Sequence, residues 1–381
     1  MTPDRLSLLA LNRATLDRQL LLRRHETPAR QAIEDLAGLQ AQAPLAPYMG
    51  LWTRLAGFRH KELEDLLAER AVVRAHLMRN TVHLLTAEDF LTFRPLFVPV
   101  HERALAGHYG RNLAGVDLAE LREVAAALLA ETALTRGELG GRLSVRWPDH
   151  DPGSLAYAAT HLLHLVQVPP RGLWGSSGQA TWFLAAAWLE GTAAPPLTAR
   201  QATEQLVLRY LAAYGPASVR DIQAWSGLTR LREVTEGLGA RLRAFIGPEG
   251  GELLDLPDAP RPDGESTYAP PRFLPEYDNL LLSYADRSRV IPHRRPVPLP
   301  PGNGASSGTL LVDGFWWANW TILRERDRAV LEIQPFKPLG DDDMAKEGSH
   351  LLEFAASDAV AHDVRVLAPP TPSDPRPAQL R

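Results

Sequence analysis

The 381-residue chain contains no cysteine, which excludes disulfides, thiolate nucleophiles, cysteine-ligated zinc and iron–sulfur clusters together. Lysine is nearly missing. Of 41 basic residues, only Lys61, Lys337 and Lys346 are lysines and the rest are arginines. Lys61 lies among carboxylates in Lys61-Glu62-Leu63-Glu64-Asp65, which hold an ammonium protonated, so imine chemistry has no candidate amine. No apolar run reaches the ~18 residues a membrane span needs. Met1-Thr2-Pro3-Asp4-Arg5 is not followed by an apolar signal region. A cytoplasmic protein without membrane contact is the expectation. The histidines are scattered; His161 and His164 fall at i, i+3 of a predicted helix, without a third ligand nearby, and read as core-edge residues. No metal and no cofactor is expected.

The remaining composition is that of a globular protein, 45% apolar and 23% charged, long enough for two to four compact units. The net charge of −4 argues against a surface coated in nucleic-acid contacts, but its distribution is uneven. Residues 1–112 carry 15 Lys and Arg against 12 Asp and Glu, whereas acid concentrates at Asp341-Asp342-Asp343. Local basic faces are therefore compatible with the sum.

Three segments share one plan: a helix, a second helix opened by a hydroxyl residue, a further helix and a β-hairpin. The N-terminal segment, 1–112, has predicted helices at 4–20, 27–42, 47–56 and 60–70 and a hairpin of Val72–Met78 and Thr81–Thr86. In the second, 113–195, the capping box Thr135 to Glu138 starts the middle helix, and 153–166 reads as the next one. The third, 196–257, repeats the plan through Ser218-Val219-Arg220-Asp221 and a turn at Pro248-Glu249-Gly250-Gly251. Residues 258–272, rich in Pro, Asp and Gly, read as a linker. A β-rich, barrel-like domain follows at 273–367, with predicted strands at Asn279–Tyr284, Gly308–Val312, Trp316–Leu323, Ala329–Pro335 and Asp363–Leu367 and a helix near 341–357. The long loop from His293 to Gly308 separates its first two strands, and a disordered tail is expected at 368–381. The fold class is thus α+β: three tandem winged helix-turn-helix domains followed by a β-rich C-terminal domain.

Within the first segment, Leu36-Ala37-Gly38-Leu39-Gln40-Ala41-Gln42-Ala43-Pro44 stands out. On a helix, residues i and i+2 diverge by about 200°; in extended chain they share a face. Pro44 disfavours helical dihedrals at Ala43, so the predicted helix frays at Gln42 and the two carboxamides can address one ligand. A carboxamide donates and accepts hydrogen bonds without titrating, which suits holding a water or a base edge. Capping of helix-end carbonyls is the structural alternative.

The run Leu36–Leu55 resembles the signature of the bacterial winged-helix DNA glycosylases typified by AlkZ, and Arg74–Leu84, Tyr214–Leu228 and Phe273–Val290 agree with it. Gln40-Ala41-Gln42 matches the Gln-x-Gln branch, and Thr81-Val82-His83 matches a second Thr-x-His signature. The resemblance implies a C-shaped protein that holds double-stranded DNA and acts as a monofunctional glycosylase, hydrolysing the N-glycosidic bond of alkylated purines. Cationic N7-alkylguanine is the chief implied lesion and interstrand crosslinks are included; the product is an abasic site. Such a base leaves without a general acid, so the enzyme need only orient water and face an oxocarbenium-like sugar. Gln40 and Gln42 are the expected water-positioning pair, with Thr81 and His83 near the lesion. Arg74, Arg79, Arg287, Arg289, Arg294 and Arg295 are expected on the DNA backbone. Trp316, Trp317 and Trp320 suit core packing better than stacking on bases. A monomer is expected, with a shallow active site beside the minor groove and a hairpin wedging the duplex. The rival is a winged-helix transcriptional regulator without catalysis, which would prefer one sequence and usually dimerise.

Overall fold

The computed structural model describes residues 3–295, 307–338 and 342–369. The side chain of Arg294, most of the long loop after it, Asp341 and the tail from 370 lie outside the described residues. Helices and strands are mixed throughout the rest, and the elements gather into two main sheets.

The first sheet has six strands: β1 (Leu39–Gln40), β2 (Val72–His76), β3 (Val82–Thr86), β4 (Leu134–Thr135), β5 (Leu165–Val168) and β6 (Thr181–Leu184). Their order is β1-β3-β2-β5-β6-β4. The hairpins of the first two segments are therefore one sheet, joined where Arg74 of β2 faces Gln167 of β5. The third segment keeps its own hairpin, β7 (Arg243–Ile246) with β8 (Glu252–Asp255). The second sheet runs β13-β12-β11-β10-β9, from β9 (Arg272–Leu274) through β10 (Gly308–Val312), β11 (Phe315–Glu325) and β12 (Arg328–Pro335) to β13 (Ala361–Val366). Only β12 and β13 pair in parallel, because the helix Asp342–Ala355 crosses over between them as parallel strands require.

Local chemistry starts several helices where the sequence indicates. Thr135–Glu138, Thr198–Gln201 and Ser218–Asp221 form reciprocal capping boxes, and Asp117 and Asp151 cap two others through their carboxylates. Trp316 and Trp320 are buried in the core as expected, whereas Trp317 is only half-buried, on the alternate positions of β11.

Several expectations are corrected. The helix predicted over 27–42 ends at Asp35. Its stop signal is Gly38, not Pro44: Gly38 N–H reaches Ile33 O at 2.9 Å and Ala37 N–H reaches Glu34 O at 3.0 Å, the paired bonds of a Schellman turn. Ala37 and Gly38 take φ of 55° and 89°, and a Cβ at Gly38 would lie 3.0 Å from Leu84 O. The chain then enters β1 against β3, with Leu39 opposite Leu84 and Gln40 opposite His83. Asn279–Leu281 is a 3-10 turn rather than a strand, whereas β9 lies at the predicted linker's end. The C-terminal sheet does not close into a barrel: β13 and β9 are its two edges. Helices at Ala87–Phe93 and Val98–Tyr109 fill the end of the first segment, which the predicted plan left without elements.

The cores cross the predicted boundaries. One apolar cluster joins Leu36 and Tyr48 to Leu139, Trp182, Leu331 and Leu351. A second joins Ala37, Leu77 and Leu85 to Tyr210, Tyr214 and Trp225. Two bidentate, fully buried ion pairs reinforce this: Arg54 with Asp278 at 2.9 and 3.0 Å, and Arg18 with Asp255 at 2.6 and 2.8 Å.

Candidate active site

The segment Leu36–Pro44 is held from three sides. Ala41 N–H donates to Val82 O at 2.9 Å, continuing the β1–β3 ladder. Arg74 reaches under it to Ala41 O at 2.9 Å and Pro44 O at 3.3 Å. Asn279 Nδ2 donates to Gly38 O at 3.1 Å, and Asn279 is itself placed by the Arg54–Asp278 pair beside it. Gln40 ends the strand β1 and Gln42 lies in the bend that follows, and both side chains line one cavity of about 520 Å3.

The carboxamide orientations are decided by donor-only partners. Arg79 Nη2 lies 3.0 Å from Gln40 Oε1, and Val82 N–H lies 3.2 Å from Gln42 Oε1. Thr81 Oγ1 stands 3.4 Å from Gln40 Oε1 but also 3.1 Å from Met78 O. Gln40 is 5% exposed, its oxygen facing Arg79. Gln42 is more open; its oxygen accepts one bond and keeps a free lone pair.

Of the predicted site residues, the structure gathers Gln40, Gln42, Arg79, Thr81 and Arg287 around this cavity. Arg79 also donates to Trp225 O at 2.6 Å, tying the first hairpin to the helix Val219–Ser226 of the third segment. Burial lowers its guanidinium pKa to about 10. His83 is 0% exposed, opposite Gln40 across the β1–β3 pair. Its Nδ1 lies 3.0 Å from Thr81 O, and burial with the nearby Arg79 charge lowers its pKa to about 3, so it is neutral. Two arginines depart from the expectation of backbone contact. Arg74 (2% exposed) and Arg289 (4%) are buried; Arg74 bonds the loop carbonyls, and Arg289 bonds Pro216 O at 2.8 Å and lies over Tyr284. Neither guanidinium lies on the open surface. Arg295 stacks 3.4 Å over Phe336 and lines a separate groove of about 900 Å3. Arg287 belongs to both that groove and the site cavity.

Sequence reasoning missed His76, Asn80, Arg136, Tyr157 and Tyr277, which complete the wall, and took His161, also on it, as a core-edge residue. Tyr157 stacks between Tyr109 and His161, each at 4.0 Å, and its hydroxyl lies 3.4 Å from Asn80 Nδ2. Burial first, then neighbouring positive charges, hold His76 well below the usual imidazole range; burial lowers His161 to about 4. Arg136 follows Thr135 in a motif legible only as a helix start. Among the described residues no Asp or Glu lines the cavity, and none gathers with histidines into a metal-binding group. The arrangement can orient water and tolerate positive charge through amide dipoles, but it holds no carboxylate for proton transfer.

The family model for DNA glycosylase AlkZ-like proteins matches residues 33–365. The chain belongs to the AlkZ-like DNA glycosylase family. Streptomyces sahachiroi DNA glycosylase AlkZ has a similar fold, with a TM-score of 0.73 at 22% identity; the match covers 95% of this chain and 100% of that one. No curated protein matches the chain. Among the described residues, no helix is long and apolar enough to cross a membrane.

Proposed function

We propose that this member of the AlkZ-like family is a monofunctional DNA glycosylase that removes cationic N7-alkylguanine from double-stranded DNA, leaving an abasic site. The observation that carries the reading is the Gln42 carboxamide, held by Val82 N–H with its remaining lone pair free, in a cavity without carboxylates. Alkylation at N7 has already made the base a good leaving group, so no acid is needed. Gln42 Oε1 accepts a hydrogen bond from the attacking water, and the negative end of its carboxamide dipole favours the developing sugar cation. Gln40, whose oxygen is committed to Arg79, fixes the loop that carries Gln42. Lys61 is exposed and paired with Asp65 at 2.7 Å, in keeping with water rather than an amine as nucleophile.

In this reading the three helical segments with their hairpins are winged helices, the protein acts as a monomer in the cytoplasm, and crosslinked guanines are a second substrate class. The deciding experiment is base release from a duplex carrying one N7-methylguanine, read as alkali-labile sites. Wild-type release that falls about tenfold or more in Gln42→Ala supports the assignment, a loss of roughly 1.4 kcal/mol of transition-state stabilisation. Release no faster than the uncatalysed reaction from both a simple adduct and a crosslink overturns it and leaves the regulator.

A further inference from the structure

A second cavity, of about 420 Å3, lies on the other side of Gln42. Gln42, His76 and Arg136 line both cavities. Arg74, Arg171 and Arg136 converge on it, and no Asp or Glu among the described residues lines it. Arg136 makes no hydrogen bond or ion pair with the described residues. Its guanidinium lies 5.4 Å from the Tyr157 ring and 5.5 Å from the Trp182 ring, and its Nε is buried without a partner. Arg74 Nε is likewise buried and unpartnered, in a side chain whose other donors reach only neutral oxygens. Arg171 donates to Gly178 O within its own loop.

Burying cations without a counter-charge costs several kcal/mol unless an anion repays it. Arg54 and Arg18 are buried against carboxylates, and the buried Arg94 and Arg289 are met by backbone carbonyls; the Arg136 guanidinium has neither among the described residues. Burial and the mutual repulsion of Arg74 and Arg171 press the Arg74 pKa down to about 10, the direction an incoming anion would reverse. Gln167 Oε1 accepts from Arg74 at 3.3 Å, which turns its amide N–H donors away from Arg74 and leaves them for an acceptor.

We infer that this cavity is a phosphodiester site, in which Arg136 and Arg171 hold the DNA phosphate flanking the lesion and so place its sugar against Gln42. This rests on the glycosylase reading. Arg136 acts here as a positioning residue: it sets where the glycosidic bond lies rather than touching the reacting atoms. The same side chain borders both cavities, which gives the phosphate and the water-holding amide a common wall.

The test is a coupling measurement on the full chain. Binding of a duplex containing a tetrahydrofuran abasic analogue is followed by fluorescence anisotropy, with each flanking phosphate replaced in turn by a neutral methylphosphonate. Wild type is expected to lose about tenfold in affinity for one such replacement. Arg136→Gln should lose a comparable factor on the unmodified duplex, be indifferent to that replacement, and show a salt slope shallower by about 1; Arg136→Lys should recover part of the affinity. Equal methylphosphonate losses in wild type and Arg136→Gln, with both folded by thermal melting, overturn the site while wild-type base release keeps the glycosylase reading. If wild type neither binds nor cuts the duplex, that reading fails. The phosphodiester site then falls too, and stabilisation by inorganic phosphate that Arg136→Gln loses would mark a small-anion pocket instead.

Discussion

The Val82 N–H points at Gln42 Oε1 across 3.2 Å, and that contact separates the roles of two otherwise equivalent glutamines. A backbone donor cannot be satisfied by an amide nitrogen, so it settles which end of the Gln42 carboxamide faces β3. The Arg79 contact does the same for Gln40, but there it ties the amide into a buried network.

The first expected outcome follows from this division. Gln42→Ala should lower the single-turnover rate by about tenfold or more and cost less stability than the change at Gln40, because Gln42 is only half-buried and water in the cavity can replace its bond to Val82 N–H. Gln40→Ala should also cost stability, about 1–3 kcal/mol, since the Arg79 guanidinium loses a buried acceptor. Urea unfolding beside single-turnover kinetics separates the two.

Asn279 is expected to act through the loop it holds. In Asn279→Ala the Gly38 carbonyl loses its 3.1 Å donor, and Gln40 and Gln42 gain freedom at the reaction centre. The predicted result is a several-fold lower kcat with KM nearly unchanged, since the residue does not line the cavity. Steady-state kinetics on one N7-methylguanine duplex reads the split.

Gly38→Ala should destabilise the protein by about 1–2 kcal/mol, the cost of a left-handed L-residue, and more if Leu84 O must move. The φ of 89° and the 3.0 Å approach of a Cβ to that carbonyl are the reasons. Chemical denaturation measures the loss, and base release should fall with it because the same turn aims both glutamines.

Acid should unfold this protein through its histidines. His83 and His101 are lowered to about 3 and His161 and His164 to about 4, in each case chiefly by burial. Their folded pKa values lie below the unfolded value near 6.5, so the unfolded state binds more protons between those limits. Stability is complete above about pH 6.5 and falls as the pH drops towards 4, by up to ~1.4 kcal/mol per pH unit for each histidine. Between about pH 7 and 9 the rate of base release should be flat, because no carboxylate among the described residues lines the cavity and its histidines stay neutral. Denaturation and single-turnover rates across pH 4–9 check both limbs.

Much of the architecture was legible because its signals are local. A capping box needs only four consecutive residues, so Thr135–Glu138, Thr198–Gln201 and Ser218–Asp221 announce their helices unaided. The hairpin of β7 and β8 follows from alternating residues around a glycine turn. Gln40 and Gln42 were legible as a pair because a chain that leaves the helix before them frees both to one side; the bend at Gln42 that completes this was not. The stop itself was misplaced: Pro44 is a visible breaker, whereas Ala37 takes a left-handed conformation only because the buried turn against Leu84 and Asn279 over-determines it.

Long-range assembly decided the rest. Nothing near Gln42 in the chain points to Arg136, Tyr157 or His161; they arrive because β2 pairs with β5 and fuses two hairpins into one sheet. Whether an arginine meets solvent or a carbonyl is equally non-local: Arg74 and Arg289 read as surface cations until packing buries them under the Gln40–Gln42 loop and beside Tyr284. Residue type and spacing specify what a side chain can do chemically. Which partners spend that capacity depends on desolvation and contact between segments distant in sequence, and those exist only once the chain has folded.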